Sequence, residues 1–75
     1  MHNVLGELRS ALSAPNSSEL VVEIISPLQP YDLAQLLLEL EPKEQVQFIE
    51  VLPLDTAVEV LEYLEPDVQY RLLHH

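Results

Sequence analysis

The 75-residue chain has no cysteine, no tryptophan and a single glycine. Without thiols there is no disulfide, no thiolate catalysis and no cysteine zinc site. One glycine argues against sheets closed by tight hairpins and against loops that cradle phosphate. Basic residues are nearly absent too. Three Lys and Arg face 13 Asp and Glu, a formal charge of −10. That excludes nucleic acid as the principal partner and disfavours anionic membrane surfaces, since both require clustered Lys and Arg. No apolar run approaches the roughly 20 residues that span a bilayer, so direct membrane insertion by this segment is not expected. Met1 to Leu12 lacks the basic region and apolar block of a signal peptide. Histidine occurs only at 2, 74 and 75. There is no HExxH, no GxSxG and no Walker loop, and no internal histidine to activate the serines, so the chain is not expected to be an enzyme. His74 and His75 are adjacent; on a helix they would point about 100° apart and share no metal site.

What is present is helix-forming. A hydrophobic share of 48% supplies one core, and the length suits one domain over residues 1–75. Pro30, Pro42, Pro53 and Pro66 are spaced by 12, 11 and 13 residues, each followed by about ten residues rich in Leu, Val, Ala, Glu and Gln. Proline suits the first turn of a helix and pushes the residue before it out of the α region. Each proline therefore opens a short helix and closes the one before. Asp32, Glu44, Asp55 and Asp67 fall in the resulting first turns, where the helix dipole favours negative charge.

Apolar spacing agrees. Leu33, Leu36, Leu37 and Leu40, and again Ala57, Val60, Leu61 and Leu64, follow the i, i+3, i+4, i+7 pattern. Val46, Ile49 and Leu52, with Phe48 nearby, make a narrower stripe. Val68, Leu72 and Leu73 begin another that the chain end cuts short, so this last helix is expected to seek a partner by self-association. Upstream, Val4, Leu5, Leu8, Ala11 and Leu12 form a face that ends before Pro15. Asn16 with Glu19 resembles a capping box ahead of Leu20 to Ile25. That β-branched stretch also reads as a buried strand, but a lone strand has nothing to pair with, so helix is preferred. The expectation is an all-α chain with six helices at roughly 2–13, 17–26, 30–40, 42–51, 53–64 and 66–75. Pro30-Tyr31-Asp32-Leu33-Ala34 matches Pro53-Leu54-Asp55-Thr56-Ala57 at Pro, Asp and Ala, and Leu38-Glu39 matches Leu61-Glu62. This 23-residue offset suggests a solenoid-like array of helical hairpins.

Leu28-Gln29-Pro30-Tyr31-Asp32-Leu33-Ala34, then Leu52-Pro53, Ala57-Val58-Glu59-Val60-Leu61 and Leu64-Glu65-Pro66-Asp67-Val68-Gln69 resemble the cytosolic N-terminal domain of MgtE-type magnesium transporters. The family pattern reads roughly H-P-x-D-(I/L)-A, L-P, A-x-E-V-L and L-x-P-E-x-Q. Gln29 replaces its histidine and Asp67 its glutamate. The resemblance covers about Leu5 to the C-terminus and implies a right-handed superhelix of short helices, here a truncated domain. In the family this domain precedes paired CBS domains, a plug helix and a transmembrane channel, in a homodimer, and lies at the cytoplasmic face of the cell membrane. The helical modules of the flagellar motor switch protein FliG share some of this character, which keeps open a protein–protein interaction module without a metal role.

The carboxylates are the candidate chemistry. Mg2+ takes oxygen ligands and keeps several waters, so one or two protein carboxylates suffice to hold it. Glu59 and Glu62 share a helix face, as do Glu62 and Glu65, with Asp67 beyond the next proline. Glu39, Glu41 and Glu44 form a second group. Composition alone makes these solvated faces. The resemblance singles out Glu59, the glutamate of A-x-E-V-L, as a regulatory Mg2+ ligand, with Glu62 and Asp67 as lesser neighbours in an incomplete site. It implies a domain that senses cytosolic Mg2+ and gates the channel. Tyr31, Phe48, Tyr63 and Tyr70 are expected chiefly as packing residues, with Tyr63 and Tyr70 best placed for an exposed contact.

Overall fold

The computed structural model describes residues 3–74. Six helices follow one another with short connections: α1 (Val4–Leu12), α2 (Ser17–Ile25), α3 (Pro30–Glu39), α4 (Pro42–Val51), α5 (Leu54–Glu62) and α6 (Pro66–Leu73). No strand occurs among the described residues, and none of the helices described is long and apolar enough to cross a membrane. Leu20 to Ile25 is helical, with Val21 and Ile25 one turn apart on the buried side. Expected starts at His2 and ends at His75 lie outside the described residues.

Three prolines take the first helical position as expected: Pro30, Pro42 and Pro66. Pro53 does not. It sits one residue earlier as the N-cap of α5, with extended backbone (ψ 145°), and its carbonyl accepts the first helical bond from Ala57 N–H. The expected capping box of Asn16 and Glu19 is also absent: Asn16 is the N-cap of α2 but its side chain makes no cap bond. The device appears instead at the prolines. Asp32 Oδ2 accepts from Gln29 N–H at 3.2 Å, and Glu44 Oε1 from Glu41 N–H at 2.9 Å. Proline at the first position removes one donor that needs a partner, and the acid two residues on satisfies the donor just ahead of it.

At α1 the cap is Asn3, whose Oδ1 accepts from Gly6 N–H at 2.9 Å. A Cβ at Gly6 would stand 2.9 Å from the Asn3 side-chain nitrogen, so the lone glycine leaves room for the cap.

Glu44 also ties helices together, since the same Oε1 receives Arg9 Nε from α1 at 3.2 Å. Glu44→Ala is therefore expected to lower stability by about 1 kcal/mol, chiefly through the cap. Arg9→Ala should cost less, because a half-exposed ion pair contributes little. Urea unfolding of both variants checks the order; equal losses would shift the weight from cap to ion pair.

The buried apolar residues form one cluster drawn from every helix. α1 packs along α2, α3 along α5, and α4 touches α1, α2 and α3. Phe48 of α4 is fully buried at this junction. Arrayed this way, the short helices are compatible with the right-handed superhelix that the resemblance implies.

The internal repeat is real, with a shifted register. Ala34 and Ala57 are both buried, and Leu37 and Val60 occupy equivalent fully buried sites 23 residues apart. Beyond them the offset becomes 24: buried Leu40 pairs with buried Leu64, and Pro42 with Pro66. The extra residue is Tyr63, the C-cap of α5 in αR geometry, where α3 passes directly into extended Leu40. Displaced from the stripe, the exposed Tyr63 ring meets Tyr31 edge-on with centroids 5.7 Å apart. Tyr31 and Tyr70 are exposed as well, so Phe48 alone among the aromatics is a core residue. Leu72 finds its partner within this chain, being 4% exposed, whereas Leu73 faces outward.

Candidate functional site

Helix α5 decides where Glu59 and Glu62 point. Ala57 and Val60 occupy its buried side, so Glu59 and Glu62, three residues apart, are left together on the exposed flank. Asp67 is exposed in the first turn of α6. Between them the chain turns at Tyr63, Leu64 and Glu65, with Leu64 buried beneath the corner. Glu62 closes α5, whose last turn carries no basic residue. Negative side chains thus meet the negative end of the helix dipole, an arrangement that a cation would relieve.

The structure brings Glu59 and Glu62 to one face and Asp67 to the next helix start. It does not gather them into a cage. Among the described residues, no group of three His, Asp or Glu side chains is arranged to hold a metal ion. The donor set therefore fits Mg2+ only in the manner of a hydrated ion leaning on one or two carboxylates. Glu39 closes α3 and Glu41 caps α4, both exposed, while Glu44 is engaged by Arg9 and its own cap. His74 stacks on Tyr70 with ring centroids 4.2 Å apart. His2 and His75 lie outside the described residues.

Two glutamines, to which the sequence assigned no role, brace this corner and its counterpart between α3 and α4. Gln69 of α6 donates Nε2 to the carbonyls of Leu61 and Leu64, the latter at 3.0 Å. Leu61 is in the last turn of α5, where carbonyls lack i+4 helical donors, and Leu64 lies in the turn just beyond it. Gln45 of α4 does the same for α3, donating Nε2 to Leu37 O at 2.9 Å, and it is buried. Both glutamines reach eight residues back. The signal was legible as Leu40-Glu41-Pro42-Lys43-Glu44-Gln45 beside Leu64-Glu65-Pro66-Asp67-Val68-Gln69. Arg71 of α6 completes the link by donating Nη2 to Gln45 Oε1 at 2.8 Å. Asp67 is thus carried on a helix fixed by hydrogen bonds to both α4 and α5.

The family model described as the MgtE intracellular N domain matches residues 28–75. No curated protein and no solved structure matches the chain. The matched stretch runs from α3 to α6 and includes Glu59, Glu62, Asp67 and both anchoring glutamines. By that match, over more than half its length, the chain belongs to the family of the MgtE intracellular N domain.

Proposed function

We propose that the chain is the cytosolic regulatory domain of a magnesium transporter, in which exposed carboxylates sense Mg2+ and docking of the domain closes the channel. The observation that carries this reading is the family match across α3 to α6. It is supported by the exposure of Glu59 and Glu62 on one flank of α5, beside Asp67. The partners are the CBS domains and plug helix of the same homodimeric transporter, at the cytoplasmic face of the cell membrane.

Mg2+ supplies two positive charges and a hydration shell that carboxylates hydrogen-bond or replace. The chain's part is electrostatic. A domain of formal charge −10 is repelled by other acidic surfaces, and Glu59 and Glu62 add their charges at the flank that would face them. A cation held between two such surfaces favours the docked arrangement. By linkage it shifts the equilibrium only by its preference for docked over open.

Glu59→Gln keeps the side-chain shape and removes the charge. Titrated with Mg2+ and followed by amide shifts, the isolated chain is expected to respond at Glu59, Glu62 and Asp67. The midpoint should rise about tenfold in the variant, the low end for loss of a group supporting a metal. In the full-length transporter the same substitution should move channel closure to higher Mg2+. Responses spread evenly over all acidic residues, or an unmoved midpoint, would remove Glu59 from the role.

A further inference from the structure

An apolar depression lies away from Glu59. Between α1 and α2 runs a groove of about 870 Å³, lined by Val4, Leu20, Ile24 and Leu28. A second depression of about 250 Å³ continues it onto α3 along Leu36, and Val4 and Leu28 line both. All five apolar residues are half-buried, so the floor is formed but uncovered. Every charged residue on its rim is acidic. Glu7 and Glu23 line the first part, Asp32 and Glu39 the second, and all four are exposed. None of the chain's three basic residues lines either part: Arg9 is held by Glu44, Arg71 by Gln45, and Lys43 lies on α4.

We infer that this trough docks an amphipathic α-helix whose apolar stripe is flanked by Lys and Arg. The floor suits apolar anchors spaced i, i+3 or i+4, i+7, the way helices are recognised in grooves. The rim decides the sign of the partner. A second copy of this chain would bring acid onto acid, and so would an anionic bilayer. An uncharged apolar ligand would dehydrate carboxylates without offering a counter-charge. A basic amphipathic helix buries its stripe on the floor and meets the rim with opposite charge. The trough is built largely from residues ahead of the family-matched stretch. The inference goes beyond the magnesium reading and does not rest on it.

The test uses the 75-residue chain and a labelled synthetic helix with Leu at i, i+3, i+4 and i+7 and Lys on its other faces, followed by fluorescence anisotropy. Saturable binding that weakens with added salt is expected, with amide shifts concentrated at Leu20, Ile24 and Leu28. Reversing two exposed rim charges, Glu23→Lys with Glu39→Lys, should weaken binding about tenfold while helical dichroism is unchanged. Glu59→Gln should leave it unaltered, which separates this surface from the magnesium site. Equal binding of a scrambled peptide of the same composition would overturn the proposal, as would equal binding of one with Glu in place of Lys. So would co-sedimentation of the chain with phosphatidylglycerol vesicles, amide shifts elsewhere, or no binding at all.

Discussion

Phe48→Ala is expected to leave a large share of the molecules unfolded at 25 °C. Phe48 is fully buried in the common core, on α4, the helix that touches α1, α2 and α3. Truncating such a side chain costs about 3–5 kcal/mol, part from lost transfer energy and part from the void left behind. A core in a chain this short supplies about 3–5 kcal/mol in total, so the loss is comparable to the whole. No disulfide stands behind it. Phe48→Leu keeps most of the volume and should cost about 1–2 kcal/mol, leaving a folded but weakened domain. Far-ultraviolet dichroism with urea unfolding measures both. An alanine variant with an unchanged midpoint would show that α4 is not the junction of the core.

Much of this architecture was legible because proline acts locally. Its missing N–H and fixed φ impose a helix start within a residue of its position, whatever the rest of the chain does. Hence α3, α4 and α6 open where expected, and α5 misses by one because proline is equally tolerated as an extended N-cap. The apolar stripes identified Leu33, Leu37, Val60 and Leu64 as core for an equally local reason, the 3.6-residue period. What depends on distant neighbours was not legible. Tyr31 reads as packing, but only the fold puts it at the surface against Tyr63. Asn16 and Glu19 have the right types and spacing for a capping box, yet no cap bond forms at Asn16. Glu59, Glu62 and Asp67 could be placed on faces from spacing alone, but whether three carboxylates converge is a tertiary question. Among the described residues they form no metal-holding group. The trough is not legible in the sequence because its floor is assembled from three helices, none of which shows an unusual stripe.

Gln45→Ala is expected to lower stability by about 2 kcal/mol, more than most polar substitutions in so acidic a chain. Glutamine reads as a surface residue, yet Gln45 is 5% exposed and uses both ends of its amide. Nε2 donates to Leu37 O, a carbonyl at the end of α3 that also accepts from Leu40 N–H. Oε1 accepts from Arg71 of α6. Each bond contributes about 1 kcal/mol net, and truncation also opens a void where water cannot readily substitute. Gln69→Ala is the matched control. It removes the equivalent bond to Leu61 O, which likewise keeps a backbone donor, here Leu64 N–H. Gln69 is only half-buried, so water can replace it and the loss should be about 1 kcal/mol. Urea unfolding of the two variants gives the ranking, and equal losses would mean that burial of Gln45 contributes nothing. A double-mutant cycle with Arg71→Ala isolates the α4–α6 link, with an expected coupling of about 1 kcal/mol. That coupling reaches Asp67, because α6 carries it and the Arg71–Gln45 bond ties α6 to α4, beside the Gln69 bonds to the end of α5. Loosening it should broaden the amide resonances of α6 before the helix content of the chain falls. If α6 stays sharp in Gln45→Ala, the Gln69 bonds and buried Leu72 suffice to fix it, and the link through Arg71 is dispensable.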